Sequence, residues 1–196
     1  MNRQVRVGLG SMVQAVPQII VGNRRELLQE LNRLGYNPSD LFLKYSISKQ
    51  NFIRWNSWPD ALNSTQSYLI PDTLERELTR LLRIQEIIPD NTPRIIIPVR
   101  DHDLSFVGHL TEYIRNSKRF RIRHYLPLIG LLATLKRNGV PHGDPNPGNI
   151  LVRLDDSLVL LDPAPSAPSP GYSNDDINQV IRRAPPQIRH ALLPHP

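Results

Sequence analysis

The stretch PHGDPNPGNILVRLDDSLVLLDP, Pro141 to Pro163, decides how this chain is read. Two short apolar runs, Ile150 to Val152 and Leu158 to Leu161, flank Asp155-Asp156-Ser157, the pattern of two strands joined by a tight turn. Ahead of the first run, prolines and glycines forbid a helix and predict a compact loop. That loop carries Asp144 outward and returns Asn149 to the head of a strand, and the second strand delivers Asp162 to the same edge. Phosphoryl transfer needs such a grouping: a carboxylate to accept the acceptor's proton, and hard oxygen donors to hold magnesium on the phosphates. Asp144, Asn149 and Asp162 are therefore the candidate chemical residues. The dull alternative is a solvent-exposed turn, because Asp and Asn favour turns anyway. The hairpin and LLDP that follow weigh against it.

On the N-terminal side, Tyr125 to Asn138 reads as a helix with Leu128, Ile129, Leu132 and Leu135 inward and Gly139 at its end. Arg94 to Val99 and Leu104 to His109 bracket Arg100-Asp101-His102-Asp103 and predict an antiparallel hairpin. A helix over about Thr73 to Gln85, with Asp72 as N-cap, would bury Leu74, Leu78, Leu81 and Leu82. Another spans Arg24 to Leu34, with Leu27, Leu28, Leu31 and Leu34 on one stripe and Gly35 as its stop. Between these helices lie the apolar patch Leu41-Phe42-Leu43 ending in Lys44, and an irregular insertion, Asn51 to Ser67, carrying Trp55 and Trp58. The tryptophans read as packing residues or, if exposed, as a partner surface. PAPSAPSPG, from Pro163, is a loop or linker, and a last helix begins at Ser173, whose capping box would use Asp176.

HGDPNPGN, His142 to Asn149, followed by ILV and by LLD at Leu160 to Asp162, resembles the protein-kinase-like phosphotransferases, whose catalytic loop reads HxDxxxxN. Its wording is similar to the atypical branches: the aminoglycoside and fructosamine phosphotransferases and the ABC1-type kinases. The resemblance implies an α+β, two-lobed kinase-like fold, with a reduced N-lobe and hinge over 1–114 and a truncated, mostly helical C-lobe over 115–196. It implies ATP and Mg2+ as cofactors, Asp144 as catalytic base, Asn149 and Asp162 as metal ligands, and His142 as a packing residue that orients the loop. Adenine would bond to backbone near Glu112, Tyr113 and Ile114. Glu77 in ERELTRLL would pair the phosphate-binding lysine, for which Lys44 is the candidate and Lys49 a competitor. The ordinary readings of Glu77 and Lys44 are a solvated helix face and a strand-edge cation. A phosphate-covering loop has only Gly8 and Gly10 in VGLGSMV to draw on, and the short run after Asp162 predicts a minimal kinase or a degenerate one.

The wider composition sets limits around that reading. With 196 residues and 39% hydrophobic content, the chain can build one domain or two small lobes. No cysteine means no disulfide framework, no thiolate catalysis and no sulfur-based zinc site, and permits a reducing compartment. Gln14, Pro17 and Gln18 interrupt the apolar opening, so neither a signal peptide nor a transmembrane helix is expected. The expected location is cytoplasmic, with a secreted effector as the alternative. A net charge of +6 invites an acidic partner, and Lys118-Arg119-Phe120-Arg121-Ile122-Arg123 interleaves cations with apolar groups as nucleic-acid and phospholipid contacts do. Its bland reading is a solubilising face before a helix. The expected activity is transfer of a γ-phosphoryl group to the hydroxyl of a small molecule, lipid or protein, and the rivals are a pseudokinase scaffold and a basic nucleic-acid protein.

Overall fold

A computed structural model describes residues 18–45, 63–66, 71–165 and 175–192. Gly8, Gly10, Lys49, Trp55, Trp58 and Ser173 lie outside the described residues, and so does most of the Pro/Ser run. The fold is mixed α+β, and the chain divides into two compact units, Met1–Glu75 with Ile95–Tyr113, and Arg76–Arg94 with Ile114–Pro196. The boundary expected after Ile114 falls one residue earlier, and residues 76–94 group with the second unit rather than the first.

The first unit holds a mixed five-stranded sheet in the order β1-β4-β5-β2-β3, formed by β1 (Ile19–Ile20), β2 (Leu41–Tyr45), β3 (Asn63–Gln66), β4 (Ile96–Arg100) and β5 (Phe106–Glu112). β4 and β5 form the expected antiparallel hairpin, shifted toward the C-terminus by about two residues, and β2 adds antiparallel to β5 with Lys44 opposite His109. β1 and β3 run parallel to their neighbours. Because side chains alternate across a strand, Leu41, Leu43 and Tyr45 share one face with Ile97, Val99 and Leu110. Helix α1 (Arg24–Arg33) closes that face with Leu27 and Leu31, making one core. Asn23 caps α1 by accepting from Glu26 N at 3.0 Å. Leu34 escapes the stripe and is exposed.

Gly108, in the middle of β5, permits a close backbone approach to β2. A Cβ there would stand 2.8 Å from Tyr45 Cα and closer still to the Lys44 carbonyl oxygen.

The second unit is mostly helical. Helix α2 (Pro71–Ile87), which belongs to this unit from Arg76 on, starts two residues before the expected Thr73, which puts Asp72 in its first turn rather than at its cap. It buries Leu74, Leu78, Leu81 and Ile84, with Leu82 only half-buried. Helix α3 (Tyr125–Arg137) buries Leu128, Leu132 and Leu135 and ends at Asn138, with Gly139 at φ +69°. The hairpin β6 (Ile150–Val152) and β7 (Leu158–Leu160) pairs in the register Ile150 to Leu160. These elements form a second core with Ile84, Ile88, and Val180 of helix α4 (Asp176–Arg183). A short helix α5 (Pro186–Leu192) follows. No helix among the described residues is long and apolar enough to cross a membrane.

Candidate functional site

The loop from His142 to Asn149 is built on backbone geometry the sequence already supplies. Asn146 N donates to Asp144 O at 2.9 Å, Asn146 Oδ1 accepts from Gly148 N at 2.8 Å, and Pro147–Asn149 close as one 3-10 turn. Asn149 then enters β6 directly, and its carbonyl accepts from Leu161 N at 2.8 Å, which pins the loop to the residue before Asp162. Asn149 Nδ2 donates to Asp144 Oδ2 and to the Asp144 carbonyl, both at 3.0 Å, and lies 3.5 Å from the Asp162 carbonyl oxygen. Asn146 Nδ2 donates to the same Asp144 oxygen at 2.9 Å. The three residues proposed from spacing therefore stand at one rim of the hairpin, Asp144 half-buried and Asp162 exposed. Asp162 has φ +49°, a left-handed conformation that is uncommon for a side-chain-bearing residue and tends to persist at functional sites.

Beneath this rim the loop is held by groups inside the unit. His142 is fully buried, its Nε2 2.9 Å from the Leu161 carbonyl, and burial pushes its imidazole down to about 4. It is neutral at ordinary pH, with Nε2–H donating to Leu161, as the packing role requires. The residue that sequence spacing missed is Asp176. Its Oδ2 accepts from His142 N at 2.7 Å and its Oδ1 from Gly143 N at 2.9 Å, so a buried carboxylate clamps the loop's first two amides. Asp175, not Ser173, caps α4, accepting from Ile177 N at 3.2 Å. The expected start at Ser173 is thus corrected to Asp176, and the Asp expected in a capping box serves the loop instead. Burial raises the Asp176 carboxyl above its usual range, against the two amide bonds that lower it. Arg80 of α2 faces the same group: burial depresses its guanidinium, and Asp176 opposes that.

Gly143 is required here. Its φ is +86°, and a Cβ would come within 2.7 Å of Ala164 Cβ and 3.2 Å of Arg80 Nη1. Arg183, at the end of α4, reaches to 3.9 Å from Asp144 Oδ1 across a solvent-exposed gap. Arg183 carried no sequence signal and Asp176 only that of a helix cap, because both lie beyond a Pro/Ser run whose length hides where the chain returns.

The remaining candidates divide between the units: Lys44, Glu112 and Tyr113 in the first, Glu77 and Ile114 in the second. Lys44 is half-buried in β2 and sits, with Phe42, His109 and Thr111, on the sheet face opposite the core. It is thus inside a sheet rather than at a solvated edge. Glu77 is 3% exposed, so it is not the solvated helix residue that is the ordinary reading of such a position. Glu112 N donates to Ile95 O at 3.1 Å and Tyr113 N to Asp40 O at 2.8 Å. Those two amides are therefore already engaged by backbone carbonyls. Tyr113 stacks on Phe42 with ring centres 6.2 Å apart.

Oxygen donors fit a hard cation at the rim. Because the Asn149 amide nitrogen faces the Asp144 carboxylate, its amide oxygen is the atom suited to accept a metal. Among the described residues no trio of His, Cys, Asp or Glu is grouped to hold a metal by itself. No protein-family model, curated protein or solved structure matches the chain.

Proposed function

We propose that the chain is an ATP- and magnesium-dependent phosphotransferase of kinase-like fold, with one sheet-based lobe and one mostly helical lobe. The observation that carries it is the Asn149 side chain, which bonds Asp144 at 3.0 Å and lies 3.5 Å from the backbone of Asp162. A bound magnesium would neutralise charge developing on the β- and γ-phosphates. Asp144 orients an acceptor hydroxyl and takes its proton. The new bond joins that oxygen to the γ-phosphorus as the bond to the bridging oxygen breaks and ADP leaves. Asn149 and Asp162 supply the oxygen ligands, Asn149 also fixes the Asp144 carboxylate, and His142 with Asp176 holds the loop in place.

The test is incubation with γ-labelled ATP and magnesium, following label into the chain itself, lysate proteins, metabolites and lipids. Asp144→Ala should keep nucleotide binding and lose transfer by at least 100-fold, the scale of one general base. Asp162→Ala should lose metal-dependent binding as well. Wild-type transfer rates in both variants would overturn the assignment. A non-catalytic scaffold on the same fold is the second reading, favoured by the Glu112 and Tyr113 amides being already engaged. It predicts no labelled product from the wild-type chain.

A further inference from the structure

The basic run does not dissolve into a solubilising face. Arg119, Arg121 and Arg123 line an open groove of about 770 Å3 on the second unit, together with Phe120, Ile122 and Tyr125. Asp156 occupies one end of the charge: its carboxylate bonds Lys118 Nζ at 2.9 Å and Arg123 Nη2 at 2.9 Å. Arg119 and Arg121 are exposed and carry the remaining excess. Beside them, Ile122 is 51% exposed and Leu126, one helical turn on, is 61% exposed. The β6–β7 turn that Asp156 ties to this run presents a third exposed aliphatic, Leu154.

Which polyanion this surface suits follows from which apolar groups face outward. Single-stranded nucleic acid is gripped by aromatic rings on which bases stack. Here the rings are spent on one another: Phe120 meets Tyr125 edge-on at 5.1 Å and His124 at 5.4 Å, and Tyr125 is only 9% exposed. The outward groups are branched aliphatics, which have no stacking face and which partition into the acyl boundary of a bilayer, while arginines beside them meet lipid phosphates.

We propose that this surface docks the chain on an anionic phospholipid bilayer, with Arg119 and Arg121 on headgroup phosphates and Ile122 and Leu126 entering the acyl boundary. The association is peripheral, since the chain has no spanning helix among its described residues. The net charge of +6 favours the same partner at longer range.

The full chain is sedimented with vesicles of phosphatidylcholine alone and of phosphatidylcholine with phosphatidylglycerol, without nucleotide, so that the outcome is independent of the phosphotransferase reading. Binding is expected only to the mixed vesicles. Arg119→Ala and Arg121→Ala should each weaken it about fivefold, the equivalent of about 1 kcal/mol per cation. The double variant Ile122→Gln, Leu126→Gln should weaken it about tenfold or more, with the melting temperature unchanged because both sites are exposed. No binding to mixed vesicles overturns the proposal, as does wild-type binding by the aliphatic double variant. Tighter retention on single-stranded RNA than on vesicles, lost in the arginine variants, would overturn it in favour of a nucleic acid.

Discussion

His142 and Asp176 make opposite demands on pH. The unfolded imidazole titrates near its ordinary 6.5 and the folded one at about 4, so between these values the unfolded chain binds the extra proton. Stability from His142 is therefore full above about pH 6.5 and is lost as pH falls toward 4, by about 3 kcal/mol in all. Asp176, whose folded carboxyl is raised, works in the reverse sense, holding a proton in the folded state over a window where the unfolded one has released it. Urea titrations across pH 4 to 7 should show wild-type stability falling toward acid, and His142→Gln should flatten that slope. A slope unchanged in the variant would mean the imidazole is not the group being charged. Asp176→Ala should cost about 1–3 kcal/mol for each orphaned loop amide, and Asp176→Asn should recover part of the loss through its one remaining acceptor oxygen. Under the proposed function both should reduce kcat more than nucleotide affinity, because they reach the rim only by holding the loop.

Between elements, a tight constraint is the antiparallel pairing of β5 with β2 at Gly108, which stands opposite Tyr45. Gly108→Ala forces a methyl into the Lys44 carbonyl, which backbone cannot yield to cheaply, so unfolding free energy should drop by about 3 kcal/mol, the upper end of overpacking costs. Leu132→Ala in α3 opens a cavity in the other core and should cost about 2–5 kcal/mol in the same denaturation experiment. The same elements show what the sequence could and could not tell. Helices with a sustained apolar period, Arg24–Arg33, Pro71–Ile87 and Tyr125–Arg137, were legible to within two residues, and both hairpins to within three, since polar turns interrupt strong β-formers. β1 was not, because two residues carry no period and Ile19 is placed by pairing with Val99 and by the core. β3 (Asn63–Gln66) corrects the reading of Asn51 to Ser67 as wholly irregular, its polar residues being held by pairing with β2. The rim of Asp144, Asn149 and Asp162 was legible because the hairpin register between Ile150 and Leu160 places residues 149 and 162 on the same end. Glu77 was half-legible: its helix was evident, but a period cannot say that a carboxylate on it is buried. Asp176 was illegible, since its two bonds bridge more than thirty positions.

At the scale of the molecule, the proposed function is a statement about ligand-linked stability. A nucleotide that binds only the folded chain adds RT ln(1 + [L]/Kd), about 2.7 kcal/mol at 100 times its dissociation constant. For a chain of 196 residues one kcal/mol moves the midpoint by about 2–4 °C, so saturating Mg-ATP should raise the melting temperature by roughly 5–10 °C. ATP with a chelator in place of magnesium should give much less, because Asn149 and Asp162 offer the phosphates oxygen ligands that repel them unless a cation intervenes. Asp162→Ala should therefore lose most of the magnesium-dependent part, whereas Asp144→Ala should keep it, since its carboxylate is assigned to the acceptor hydroxyl. A scaffold that binds no nucleotide melts identically under all of these conditions. A chain that shifts equally with ATP, chelated ATP and inorganic triphosphate is answering to its net positive charge, and that result would remove the rim of the hairpin from the account.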